Sequence, residues 1–215
     1  MSDRDGSGAD FLYPFIESSE RDPAPLLLDL ARSVEAKNAE STTLAAGTIA
    51  RYRGQLDEVA MAIAARAKTG GRVLTFGNGG SSTDAANLAA LLPQEVAARS
   101  LAADTSIVTA LGNDVGFDLV FSRQVIAYCE EPDTAVGFST SGNSANVIGA
   151  FVEAKQRGML TVGFAGYDGG DMGRCDGLDH CFVVHSESIH RIQEAQAALS
   201  FALGGAIRHC LAAQG

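Results

Sequence analysis

Apolar residues recur along the chain in two different rhythms. After Pro23 and Pro25, which suit the start of a helix, Leu27, Leu30, Ala31 and Val34 follow a 3.6-residue period. A second helical stretch is expected over residues 42–68, with Leu56, Val59, Ile63 and Ala67 on one face. Beyond Gly70-Gly71 short apolar runs alternate with helical segments. Residues 72–76, 98–102, 134–138, 160–164 and 181–184 read as strands, and 83–92, 105–111, 118–129, 146–157 and 188–212 as helices. This alternation predicts a doubly wound α/β architecture: five parallel strands with helices on both faces, over residues 70–215, preceded by a helical pair at 23–69. The long last helix carries Ile189, Ile192, Leu199, Leu203, Ile207 and Leu211 in a stripe that serves either oligomerisation or the core of its own chain.

Residues 1–22 break the pattern. They hold six acidic and two basic residues around the apolar island 11–16, which Pro14 keeps from being a helix interior. An acidic extended arm is expected, docking on the protein's own surface, on a sister subunit, or on a different protein partner through residues 11–16. With 46% hydrophobic and 20% charged residues, the 215-residue chain has ample material for a core. Its net charge of −10 disfavours a phosphate-neutralising face, so direct nucleic-acid binding is not expected. Neither a basic leader nor an apolar run of about 18 residues occurs, which reads as a cytoplasmic chain without a membrane span. Cys129, Cys175, Cys181 and Cys210 lack C-x-x-C pairing and read as reduced or buried thiols. The histidines, His180, His185, His190 and His209, show no H-E-x-x-H spacing.

Two strand-to-helix junctions carry candidate chemistry. Ser139, Thr140, Ser141 and Ser144 surround Gly142 immediately before a helix, where unpaired first-turn amides and the helix dipole favour an anion such as phosphate. A simpler role for Ser144 or Asn143 is to cap that helix. The second junction, Gly77-Asn78-Gly79-Gly80-Ser81, lacks both the G-x-G-x-x-G spacing and a P-loop lysine, so dinucleotide and nucleoside triphosphate readings lose support. The Asn78 side chain and the amides there suit neutral sugar hydroxyls. In an open parallel sheet both junctions fall at the carboxyl ends of strands, where ligands of such folds bind.

Five ordered motifs together resemble the sugar isomerase (SIS) domain proteins: Gly77 to Ser81 with Asp84, Gly112-Asn113-Asp114 with Gly116-Phe117, Ser139 to Ser144, Gly166 to Gly170, and Arg191-Ile192-Gln193-Glu194. Within that family the chain is most similar to the phosphoheptose isomerase branch, over about residues 42–212. The resemblance implies a flavodoxin-like fold, a homotetramer and a phosphorylated sugar ligand. It implies that Ser139, Thr140, Ser141 and Ser144 hold phosphate, and that Asn78, Gly79, Gly80, Ser81, Asn113, Asp114 and Gln193 meet the sugar.

The departures from that family are chemical. Asn87 stands where the family has a histidine and Leu91 where it has the proton-shuttling glutamate; Gln196 and Phe201 occupy two further histidine positions, and His190 replaces an acidic residue. The family's zinc site and base are therefore missing, and no metal or cofactor is expected. Enediol chemistry needs a positioned base. His190 is the leading replacement, with Glu194, Asp84 and Glu95 as the others. Two functions follow: a ketose–aldose phosphate isomerase with altered catalytic groups, or a non-catalytic sugar-phosphate sensor or adaptor similar to the replication-initiator-associated SIS proteins.

Overall fold

The computed structural model describes residues 24–213; the acidic arm expected at 1–22 lies outside the described residues. The chain divides into two compact units, residues 1–40 and 41–215. In the first, the described residues are helical and display exposed Leu27, Leu28, Leu30 and Val34. They open helix α1 (Ala24–Arg51), which is followed by α2 (Arg53–Lys68). The helical pair thus divides at Tyr52 and not in the late thirties, because Glu35 to Glu40 contain neither glycine nor proline to break the helix.

Tyr52 leaves the helix for a tertiary reason. Its hydroxyl accepts from the Val183 amide at 3.1 Å and lies 3.3 Å from the Val183 carbonyl, while its ring meets Phe182 edge to face at 5.4 Å. These contacts occupy an edge strand that would otherwise present unpaired backbone.

The remaining elements are β1 (Val73–Gly77), α3 (Gly80–Leu91), β2 (Ala98–Ser100), α4 (Thr105–Asp114), α5 (Val120–Tyr128), β3 (Thr134–Ser139), α6 (Ala145–Gln156), β4 (Leu160–Gly166), β5 (His180–Val184) and α7 (Ile189–Ala212). A 3-10 turn at Phe117–Leu119 leads into α5. The five strands are parallel in the order β2-β1-β3-β4-β5. Every residue of β1, β3 and β4 is buried, which explains their near-continuous apolar runs: a parallel sheet covered on both faces has no wet side.

Alternation along the strands distributes two cores. Val73, Val136, Phe138, Val162, Phe164 and Phe182 pack with α2, α3 and α7. Leu74, Phe76, Ala135 and Ala165 pack with α5 and α6 on the opposite face. Phe138, Phe164 and Phe182 are register partners on neighbouring strands and form a row of rings with centroids 4.5 and 5.1 Å apart. On the other face Gly137 is required, since a Cβ there would lie 2.5 Å from the Phe151 ring and 2.7 Å from that of Phe76.

The amino ends of β1 and β3 are clamped together. Asp133, whose side chain is 1% exposed, accepts from the Arg72 amide at 2.7 Å, from its guanidinium at 2.6 and 3.1 Å, and from the Glu130 amide at 3.0 Å. Burial alone would raise the carboxyl's pKa, but the Arg72 guanidinium and the two amides outweigh it and hold the group below its ordinary value. Among the described residues, no helix is long and apolar enough to cross a membrane.

Candidate functional site

The strand order reverses direction between β1 and β3. The chain leaves β1 for α3 on one face and leaves β3 for α6 on the other, so a crevice opens at the carboxyl ends of these two strands. Both helices begin there without a side-chain cap: Gly79 precedes α3 with φ +54°, and Ser144 precedes α6. Their first-turn amides are therefore not satisfied by a capping side chain, leaving two positive helix ends side by side.

Ser144 has the sequence position of a cap but does not act as one. Its hydroxyl turns away from the helix and sits 2.9 Å from Ser139 Oγ, which lies 3.5 Å from Ser141 Oγ. Ser139 is buried, Thr140 and Ser144 are half-buried and Ser141 is exposed, so the hydroxyls grade from the sheet edge outward. Ser141 Oγ also receives the Asn143 amide at 3.2 Å. A hydroxyl cluster of this kind, at an uncapped helix start, offers several donors to a tetrahedral anion.

The cradle is braced from behind by the loop that follows β4. The Gly142 carbonyl accepts from the Met172 amide at 2.9 Å, and Asn143 Oδ1 accepts from the Asp171 amide at 2.9 Å. Gly142 has φ +68°, and a Cβ on it would lie 2.1 Å from the Gly169 carbonyl, so only glycine fits. Asn143 is thus a strut of the loop. In the same loop Tyr167 adopts the left-handed region at φ 52°, and its carbonyl meets His185 Nδ1 at 2.8 Å.

At the β1 junction the structure assigns Asn78 a different task from the one its sequence suggests. Its amide is paired reciprocally with that of buried Asn146, at 2.8 and 3.0 Å, tying the β1 junction to the first turn of α6. A sugar hydroxyl can reach only its remaining hydrogen-bonding capacity. Gln193 of α7 lies across Gly80: a Cβ there would stand 2.3 Å from Gln193 Nε2, so a side chain at this position would push that amide aside. That same nitrogen donates to Asp84 Oδ2 at 3.2 Å. Ser81 is buried one residue inside α3. Asn78, Gly79, Gly80, Ser81 and Gln193 are thus gathered at the crevice.

Asn113 and Asp114 are both exposed at the end of α4, where Asn113 Nδ2 donates to Asp114 Oδ1 at 2.8 Å. Among the described residues no hydrogen bond joins this pair to either junction.

Of the four candidate bases, Glu194 is bonded to Ser41 and Arg191, which hold its carboxyl below the ordinary range. Glu95 is exposed in the turn after α3, and His190 is exposed in the first turn of α7. Asp84 is half-buried, and that burial raises its pKa against the opposing hydrogen bond from Gln193. It lines a cleft of about 370 Å³ between α3 and α7, together with Asn87, Ala90, Leu91, Ala197, Ser200 and Phe201.

Two further groups stand out on α7: Ser200, which lines that cleft and which the sequence did not single out, and Gln196, which the sequence marked only as a departure from the family's histidine. Among the described residues, the Ser200 hydroxyl and both amide atoms of Gln196, one turn apart on α7, are buried without a hydrogen-bond partner. Nothing local in the sequence marks Ser200, because its burial comes from tertiary packing of α7. A zinc ion does not fit here: leucine and phenylalanine supply no lone pair, and among the described residues no three His, Cys, Asp or Glu side chains gather to hold a metal.

Comparison with known proteins gives a consistent picture. A family model described as the SIS domain matches residues 38–166. Phosphoheptose isomerase of Aquifex aeolicus is 41% identical over 171 residues, covering 76% of this chain and 88% of that relative. The enzyme of the same name from Burkholderia pseudomallei is 40% identical over 183 residues, covering 80% and 91%. The solved structure of phosphoheptose isomerase from Neisseria gonorrhoeae superposes with a TM-score of 0.78 at 38% identity, covering 84% of this chain and 99% of that one.

Proposed function

The chain belongs to the SIS-domain family, and from that premise we propose that it binds a phosphorylated sugar at the β1/β3 crevice and interconverts its ketose and aldose forms without a metal ion. The observation that carries this reading is the hydroxyl cluster of Ser139, Ser141 and Ser144, its cap position turned inward toward Ser139 while the start of α6 stays uncapped. The phosphate lies against this cluster and Thr140. The sugar runs from there past Gly79, Gly80 and Ser81 toward Gln193. Relatives called phosphoheptose isomerases make a seven-carbon ketose phosphate the first substrate to try.

The protein works as a homo-oligomer, a tetramer in the first instance, supported by exposed apolar side chains at Phe117, Ile189 and Phe201. Light scattering showing a monomer at micromolar concentration excludes this part of the proposal.

Replacing Ser139 and Ser141 together by alanine removes two donors, each worth about 1.5–3 kcal/mol when bonded to a charged group. Affinity for sedoheptulose 7-phosphate measured by calorimetry should fall at least 100-fold, by about 2.7 kcal/mol or more. An unchanged affinity places the ligand elsewhere.

A second reading is favoured by Asn87, Leu91 and Phe201 around the cleft, where an isomerase of this kind would carry acid–base groups. On that reading the protein is a sugar-phosphate sensor or an adaptor for a protein partner. Thermal stabilisation by the sugar phosphate without chemical change selects it.

A further inference from the structure

Resting on the phosphosugar reading, we propose that Asp84 is the catalytic base of this chain, moving a proton between adjacent carbons of the bound ketose phosphate. Three observations converge on it. It is the one ionisable side chain among those lining the α3/α7 cleft, where Asn87, Leu91, Ser200 and Phe201 surround it with neutral groups. Gln193 holds one carboxylate oxygen at 3.2 Å, which orients the group, and among the described residues Oδ1 receives no hydrogen bond. And Gln193 is the same side chain that spans Gly80, so the carboxylate is tethered to the floor of the crevice that ends at the cradle.

The electrostatic surroundings suit the task. No other ionisable group occurs on α3, and none on β1 or β3. On β2, Arg99 is stacked over Tyr128 at 5.3 Å. Along α7, His190, Arg191 and Glu194 lie at the first turns, Arg191 and Glu194 being bonded to each other, while Arg208, His209 and Cys210 lie at the far end. Burial is what raises the Asp84 pKa, which brings a carboxylate closer to neutrality and strengthens it as a base. Glu194, with its pKa lowered by Ser41 and Arg191, is weakened for the same work.

The step balances within the substrate. Asp84 Oδ1 takes the proton from C1, and the C–H electron pair becomes the C1=C2 bond as the C2 carbonyl oxygen takes the hydroxyl proton from O1, giving an enediolate whose negative charge rests on O1. The Asp84 carboxylic acid then returns its proton to C2, and O1 becomes the aldehyde oxygen. No oxidant, reductant or metal enters. The amide of Asn87, which lines the same cleft, is available as a hydrogen-bond donor to a substrate oxygen.

The test uses the full chain with sedoheptulose 7-phosphate in heavy water. Binding is followed by calorimetry and exchange of the C1 hydrogens by nuclear magnetic resonance. Wild type should exchange, whereas Asp84→Asn should bind within about 3-fold and exchange at least 100-fold more slowly, as expected for loss of a positioned base. Asp84→Glu, which restores the carboxylate, should recover part of the rate. Because the unprotonated carboxylate is the active form, the wild-type rate should fall as pH drops through a value above the ordinary carboxylate range of about 4, and this limb should vanish in Asp84→Asn. Exchange at the wild-type rate in Asp84→Asn overturns the proposal, as does wild-type binding without exchange. Failure of wild type to bind the sugar phosphate at all removes the function on which the proposal rests, and the proposal falls with it.

Discussion

The pairing of Asn78 with Asn146 predicts that two parts of the site distant in sequence rise or fall together. Asn146 is 2% exposed, and its amide exchanges two hydrogen bonds with that of Asn78, at 2.8 and 3.0 Å. Asn146→Ala deletes both bonds, each worth about 0.5–1.5 kcal/mol net, and leaves a half-buried Asn78 amide without them. The loss should total about 2–3 kcal/mol. For a chain of this size that corresponds to a drop of about 5–10 °C in Tm, measured by differential scanning calorimetry. Asn146→Asp should cost at least as much, because a carboxylate oxygen then faces Asn78 Oδ1. With the β1 junction and α6 no longer tied, sugar-phosphate affinity should also fall about 10-fold, or 1.4 kcal/mol, through lost preorganisation. A Tm within about 1 °C of wild type together with unchanged affinity would refute the idea that this pair holds the crevice in shape.

At the opposite end of the sheet, Asp133→Asn should cost about 3 kcal/mol at pH 7 by urea denaturation, since it breaks a buried, fully bonded carboxylate. The folded pKa of Asp133 is depressed, so its stabilisation is present above the ordinary carboxylate value of about 3.9 and is lost as pH falls through the lower folded value; the gap between wild type and variant should narrow near pH 3. Cys129 and Cys181 are both pushed up to about 11 by burial, leaving on the order of 10⁻³ of each as thiolate at pH 8. Iodoacetamide followed by mass spectrometry should therefore mark Cys175 and Cys210 first, and prompt labelling of Cys129 would contradict its burial.

The architecture was legible where burial is simple. Parallel strands covered on both faces read as unbroken apolar runs, so residues 134–138 and 160–164 were recognisable as strands from local pattern alone. The break at Tyr52 was not, because it answers to the edge of β5 more than 120 residues away and not to any breaker in its own segment. The site divides in the same way. Ser139, Ser141 and Ser144 form a local cluster and could be found as one, although the inward turn of Ser144 could not. Asn78 looked available for a sugar because its partner, Asn146, lies 68 positions further on. The roles of Asp84, Gln193, Gln196 and Ser200 depend on α7 crossing α3, a packing event that no local periodicity encodes.

The central claim is that a phosphosugar is isomerised here without metal. It is tested most directly by incubating the full chain, treated with a chelator and then freed of it, with sedoheptulose 7-phosphate, and following the aldose phosphate by nuclear magnetic resonance. The account predicts that product forms at the same rate before and after chelation, and that added zinc does not accelerate it. Product that appears only when zinc is restored, or no product from a chain that binds the sugar phosphate tightly, would contradict it.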